Sequence, residues 1–489
     1  MSRALSDVAL RAGPEKPRSI LRRVKRAERR KRERGIALIM VLGAIALLTV
    51  MLAEFQEDTS AELASALADR DSVQAEYMAR SAVNLSRLLI ATEPTIRQAI
   101  TPLFAFLKKA PPQLPVWEFS DRLLGAFNDQ EAAKDFAGTV GIDLNLGKNL
   151  GMPGGRFELV IVDEDSKIDA NLGASNDIAH IRLAKELMGL MVAPQYNPLF
   201  EQRDPTGQFH DRLQICQAII DWSDVDEQAF TCDLSQNAPS GTTVEDAYYQ
   251  LLNKPYRRKN SPYDSLEELH MVNGIGDDFW STFIDPEPTN PKKRVVTVWG
   301  QGAVNINTAS AQTLLAVVCA GAPAADICVD PAQTSMFLMG VTMARGISMG
   351  APLFGNAADF ISTLQGKGQL GPLLATLGMK PVKFLSDSEF SKSITTESTM
   401  FSIYAVGVVK GYKRETRLSI HAVVDFRAAP SLLGPPPPVP GAPGAPPAAS
   451  GAPSTPPPIP GLPPGTDPNA IASALAPNTG GTIVYYQIE

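Results

Sequence analysis

Four carboxylates form the most concentrated candidate chemistry in this chain. Asp224 and Asp226 follow Asp221-Trp222-Ser223 in a short loop, and Glu245-Asp246 returns beyond Cys232. Hard oxygen donors from two loop segments suit calcium, which takes about six to eight of them. The stretch is not an EF-hand, because that motif's glycine and terminal glutamate are missing. The same residues equally suit helix caps and solvated carboxylates, and Asp221 reads as a supporting group. A second motif, Gly346-Ile347-Ser348-Met349-Gly350, matches the nucleophile pattern of hydrolases. That pattern needs a strand before the serine and a helix after it. Here Met339 to Arg345 reads as helix, and Pro352 would disrupt a helix that followed. His421 is the one downstream base, and it falls in a strand. His180, His210 and His270 are isolated, which argues against zinc. No catalytic residue is assigned, and the chain is not expected to be an enzyme.

The elements that position these groups start at an abrupt junction. Residues 1–35 hold 13 Lys/Arg against 4 Asp/Glu and end in Arg34-Gly35; an uncharged apolar run begins at Ile36 and continues to residue 53. About 18 such residues suffice for a slightly short transmembrane helix. By the positive-inside rule the basic end stays cytoplasmic and the rest is translocated. No small-residue cleavage site follows the apolar run as it would in an ordinary secretory signal. The whole chain carries −7, so with the leader at +9 the remainder carries −16. An acidic ectodomain repels phosphate backbones, so nucleic acid is not an expected partner. Cys216, Cys232, Cys319 and Cys328 form an even set in a region expected to be periplasmic, where disulfides persist. Their spacings fit local pairs, 216 with 232 and 319 with 328, with reduced buried cysteines as the alternative.

Helical periodicity continues past the apolar run through Leu63, Leu67, Val73, Met78, Val83 and Leu89, with no Gly or Pro until Pro94. One helix over about 36–92 is predicted, half in lipid and half packed on a globular domain. Arg156 to Asp163 reads as a strand, and Asp165 to Asn171 as a turn-rich stretch. Residues 176–350 read mostly helical. Strands follow at Thr399 to Val408 and Thr416 to Val424, joined by a hairpin at Gly411. Strand, helical insert and strands again imply an α+β domain interrupted by a helical one. From 427 the chain turns rich in Pro, Ala and Gly, a composition expected to be extended or disordered. Its β-prone tip, Thr482 to Tyr486, is expected to fray, with addition to a partner's sheet edge as the alternative.

A basic leader closed by glycine directly before the apolar run resembles the class III signal of type IV pilins and type II secretion pseudopilins. In that family a prepilin peptidase cuts after the glycine, here between Gly35 and Ile36, and the apolar segment becomes the assembly helix. Further motifs resemble the minor pseudopilin family of type II secretion called GspK. They are Asp221-Trp222-Ser223-Asp224-Val225-Asp226, Glu245-Asp246-Ala247-Tyr248-Tyr249, Pro255-Tyr256, Asn260-Ser261-Pro262, Ser265 to Leu269, Val272-Asn273-Gly274-Ile275 and Val304 to Ala309. Their order covers about residues 30–426.

The resemblance implies a long assembly helix, a pilin-like domain over 93–175 and 351–426, and a helical insert over 176–350. It implies calcium at Asp224, Asp226, Glu245 and Asp246. It also implies a filament-tip complex with other minor pseudopilins, which starts or caps a pseudopilus for export of folded proteins. Partners would be the peptidase, the inner-membrane platform, the secretin and cargo. The location implied is the bacterial inner membrane, single-pass, with the large domain periplasmic. Most pilin-like subunits carry Glu at the fifth mature position; here that position is Met40, as expected of a subunit with no neighbour above it. The alternative is a minor pilin of a type IV pilus or competence machine. Leu266 to Phe279 and Val304 to Val317 resemble helix-hairpin-helix modules. Asp277 and Asp278 face where a phosphate would approach, so a DNA receptor, like a hydrolase, is a distant alternative.

Overall fold

The computed structural model describes residues 20–106, 111–128, 154–203, 207, 209–233, 240–244, 247–252, 254–348, 350–368, 371–411, 414–430, 432 and 478–489. The chain divides into two units, residues 1–70 and 71–489. Helix α1 runs Ile20–Phe106, 87 residues with Pro94 and Pro102 inside it. The stop expected near residue 92 therefore fails. Glu93 and Arg97, one turn apart, are bridged at 2.9 Å across Pro94, and Glu93 also accepts the Leu114 N–H at 3.0 Å. These contacts hold a segment whose proline removes one ladder bond.

In the first unit every described side chain of α1 is exposed or half-buried. Its most apolar 18-residue window has mean hydropathy 2.8 and no buried surface. The helix is long and apolar enough to cross a membrane.

The second unit has three apolar cores. One is built by α1 and a four-stranded antiparallel sheet ordered β1-β8-β9-β10. The strands are β1 (Gly155–Asp163), β8 (Met400–Lys410), β9 (Glu415–Asp425) and β10 (Thr482–Ile488). Phe157, Leu159 and Ile161 alternate inward from β1 while Arg156 and Glu158 face out, the period-two pattern of a half-buried strand. Ala75, Met78, Ala79 and Ala82 of α1 are fully buried against the sheet. The approach is close enough that a Cβ at Gly407 of β8 would overlap the Ala75 carbonyl, so glycine is required there. The short helix α2 (Ser120–Gly125) covers the β1 side, and Trp117 just before it packs on Phe401 with ring centroids 4.6 Å apart.

The insert leaves β1 at Asp163 and returns to β8 at Met400. Two parallel bridges tie its chain together: β2 (Ile168–Asp169) with β5 (Val296–Thr297), and β6 (Val304–Asn305) with β7 (Ile394–Thr395). Its helices include α3 (Asp177–Met191), α4 (Arg212–Ser223), α5 (Ala311–Gly321) and α6 (Pro331–Ser348). At Gly189 a Cβ would overlap the Ala316 carbonyl, so α3 and α5 pack backbone to backbone. A second core joins α3, α4 and residues 263–298, and a third joins α5, α6 and residues 354–394. By packing, the insert therefore extends to about residue 395 instead of ending at 350. Phe354, Phe360, Phe384 and Phe390 belong to its core, not to the sheet.

Two local expectations change. Val304-Asn305 is a strand pairing with β7, so the second helix-hairpin-helix-like stretch has no first helix. The C-terminal tip is not frayed: Thr482–Ile488 pairs antiparallel with β9 of its own sheet. Arg87 donates to the carbonyls of Gly480 at 2.7 Å and Gly481 at 2.9 Å, fixing the entry to that strand. A bare β9 edge would leave a row of backbone groups unpaired, and the tail covers it.

Candidate functional site: the junction, the acidic loop and the buried corner

Gly35 and Ile36 lie within α1, and Ile36 and Met40 are 54% and 69% exposed. A Cβ at Gly35 would meet nothing within 4 Å. Glycine there answers no packing or turn requirement, and in a helix interior it costs about 0.5–1 kcal/mol relative to Ala. The fold leaves that glycine unexplained.

The acidic loop begins at the C-terminus of α4. An Asp211–Gln214 capping box starts the helix, and Asp224 is its C-cap. The Asp221 carboxylate accepts the Phe230 N–H at 2.8 Å, and Asp226 accepts the Gln228 N–H at 2.7 Å. Arg258 donates to the carbonyls of Asp221 at 3.0 Å and Asp226 at 2.8 Å, and lies 3.8 Å from the Asp224 carboxylate. Burial pushes Asp221 up to about 7. Burial, with Asp221 and Asp226 nearby, does the same to Asp224. One Asp224 oxygen is buried without a hydrogen bond. Cys216 and Cys232 are joined as a disulfide with Cα atoms 6.2 Å apart, which closes the loop. Cys319 and Cys328 form the second disulfide, with Cα atoms 5.7 Å apart. Trp222 packs edge-on against Tyr249 and Tyr256 behind the loop.

Strand β3 (Gln228–Phe230) pairs with β4 (Ser240–Val244), which ends at Val244 opposite Gln228. Glu245 and Asp246 come next but lie outside the described residues. Among the described residues, no three of His, Cys, Asp and Glu are grouped to hold a metal. Of the four expected ligands, only Asp224 and Asp226 lie within the described residues. The Asp224 oxygen without a hydrogen bond, approached by Arg258 at 3.8 Å, is compatible with a cation.

Residues 208–282, which span this loop, match a family model described as Type II secretion system (T2SS), protein K. The chain carries a type II secretion protein K domain. Six of the seven motifs that carry the sequence resemblance fall within this stretch, and Val304 to Ala309 lies beyond it. The chain is also similar to a solved structure, the GspK–GspI–GspJ complex from the type II secretion system of enterotoxigenic Escherichia coli. Identity is 15%, with 56% of this chain and 76% of that one covered and a TM-score of 0.35. No curated protein matches it significantly. The matched stretch supplies half of the buried residues of the insert's first core, from Ile215 of α4 to Phe279.

Where the insert leaves and rejoins the sheet, the structure shows a polar corner that the sequence reading took for a plain turn. Asp163 accepts from the hydroxyls of Thr308 and Ser398, both at 2.5 Å. Asp165 accepts the N–H of Gln301 at 2.9 Å, Thr399 at 2.6 Å and Met400 at 3.1 Å. Burial, with Asp165 close by, pushes Asp163 up to about 8, and burial pushes Asp165 to about 6 and Asp169 to about 7. Burial also acts on Glu164, but Lys167 at 2.9 Å and the surrounding hydroxyls hold it below the usual range. Four acids and a lysine within seven residues, directly after a buried strand, were the available signal.

Ser348 sits at the end of α6, and its hydroxyl donates to the Arg345 carbonyl at 3.1 Å. No strand precedes it, so the nucleophile geometry is absent there. His421 lies in β9 stacked on Tyr404, and burial lowers it to about 4.

Proposed function

We propose that this protein is a minor pseudopilin of a type II secretion system that works at the tip of the pseudopilus. The observation that carries this is a protein K domain set into a pilin-like sheet, on a chain whose first helix contains an apolar, uncovered 18-residue stretch. In this reading α1 is held in the inner membrane with the leader cytoplasmic, and a prepilin peptidase cuts after Gly35. Other minor pseudopilins pack along the assembly helix. Met40 offers no carboxylate to a subunit above, and the insert occupies the space where one would add. The work is mechanical, with no catalysis by the chain itself. Calcium is held at Asp224 and Asp226, joined by Glu245 and Asp246, and offsets the charge that Arg258 meets only in part.

Cross-linking in secreting cells tests the position. Cross-links to other minor pseudopilins at the tip are expected, with loss of secretion on deletion. Recovery of the protein along the whole shaft, or full secretion without it, would refute the reading.

A further inference from the structure

We propose that a cavity between the sheet domain and the insert is a docking site for an acidic segment of another polypeptide, with Arg345 and Arg122 as its carboxylate receptors. The cavity has a volume of about 660 Å³ and lies between the end of β1, the Phe119–Arg122 turn and the end of α6. Its size is in the range of ligand sites. Phe119 and Leu353 give it apolar walls, while Ser166 and Ser310 supply hydroxyls. Ser310 is also the N-cap of α5, whose positive helix end adds to the field.

The two guanidiniums set this cavity apart. Several other arginines meet carboxylates, namely Arg97 with Glu93, Arg156 with Glu415, Arg294 with Asp285, Arg417 with Glu158 and Arg427 with Asp425, and others such as Arg87 and Arg212 make two hydrogen bonds to carbonyl or amide oxygens. Among the described residues Arg345 reaches one carbonyl, that of Ile306 at 3.5 Å, and Arg122 makes no hydrogen bond or ion pair. Two nearby acids among the described side chains are already committed. Glu118 is bound to Lys292 at 3.0 Å, and Asp163 is occupied by Thr308 and Ser398. Burial lowers Arg345 to about 10, the mark of a cation that lost water and gained no full counter-charge. A carboxylate entering the cavity restores that balance through paired N–H donors, a geometry that suits guanidinium. Arg345 also lines a neighbouring, mostly apolar pocket together with Phe354 and Phe360. A single ion would leave most of the volume and the apolar walls unused, which favours a peptide segment.

The site is independent of the tip assignment, because its test is binding in solution. The full chain, purified in detergent, is applied to an array of hexapeptides in which each glutamate-containing member is paired with its glutamine counterpart. At least ten-fold preference for the acidic members is expected, against the repulsion of an ectodomain carrying −16. The Arg345→Gln/Arg122→Gln variant keeps the basic leader, so its difference from the parent isolates the cavity. It should lose the preference, Arg345→Lys should keep part of it, and the distant Arg203→Gln should keep all of it. Arg122→Gln alone, at an exposed position, serves if substitution of the half-buried Arg345 impairs folding. Equal retention of acidic and amide peptides, or a preference that survives in the double variant and in Arg122→Gln, would overturn the proposal.

Discussion

Gly35 is an exposed residue in a helix with open space around it, so a methyl group there disturbs no contact. Gly35→Ala is therefore expected to leave folding intact and to abolish shortening of the chain by a co-expressed prepilin peptidase. N-terminal sequencing of the wild-type product should begin at Ile36, and any other start would refute the junction. At Asp224 and Asp226 the expected gain is in stability. A ligand bound only by the folded state adds RT ln(1 + [L]/Kd), about 2.7 kcal/mol at a hundred times Kd. Calcium should raise the melting temperature of the full chain, and Asp224→Ala with Asp226→Ala should cancel the rise. A melting temperature indifferent to calcium and chelator would remove the site.

Among the elements, β10 is the one whose role comes wholly from its contacts. Tyr485 packs against His421 of β9 and Trp299 of the insert, with centroids 5.2 and 5.4 Å away. The strand thus ties the tail, the sheet and the insert together. Deleting residues 478–489 should lower the melting temperature and raise amide exchange along β9, since the removed strand leaves a bare edge. Arg87→Ala should reproduce part of the effect, about 1–2 kcal/mol, by removing two charge-assisted hydrogen bonds. Unchanged exchange along β9 after truncation would show that the strand contributes nothing in solution.

For the molecule as a whole, the buried acids set a pH dependence. Asp163, Asp165, Asp169, Asp221 and Asp224 are raised to between about 6 and about 8, and Glu186, buried with neither oxygen hydrogen-bonded, to about 8. Each binds its proton more tightly folded than unfolded. Its contribution is therefore present below the unfolded value of about 4 and is lost as pH rises through the folded one. His421, lowered to about 4, runs the other way, costing stability as pH falls below about 6.5. Burial also lowers Lys167, which runs the same way as His421, but six raised acids outweigh the two, so with a chelator present the melting temperature should be higher at pH 5.5 than at pH 8. Glu186→Gln should narrow that gap, because the amide does not ionise. A melting temperature that climbs between pH 5.5 and pH 8 would contradict the assignment.

The apolar span, the strand at 156–163, the hairpin at 400–425 and the protein K motifs are legible in the sequence. Each depends on short-range pattern: a charge step, period two, or fixed spacing around Trp222. The continuation of α1 through Pro94 was not legible, because the Glu93–Arg97 bridge and the Leu114 contact join segments that sequence spacing leaves unrelated. Nor was the pairing of β10 with β9 across a Pro-rich stretch, since an edge acquires its partner only once the sheet exists. Residues 354–394 were assigned to the sheet domain by their position beside the C-terminal strands; packing of Phe360 and Phe390 against α5 decided otherwise. The sequence shows Asp165 to Asn171 as a turn-rich stretch, and local pattern carries no sign that its carboxylates, or that of Asp163 before it, are buried. Only the folded chain brings Thr308, Ser398 and the 399–400 backbone to those carboxylates, and burial then gives them their unusual proton affinity. Sequence sets what each segment can form locally, and the long-range closure of the insert onto the sheet sets which polar groups lose water.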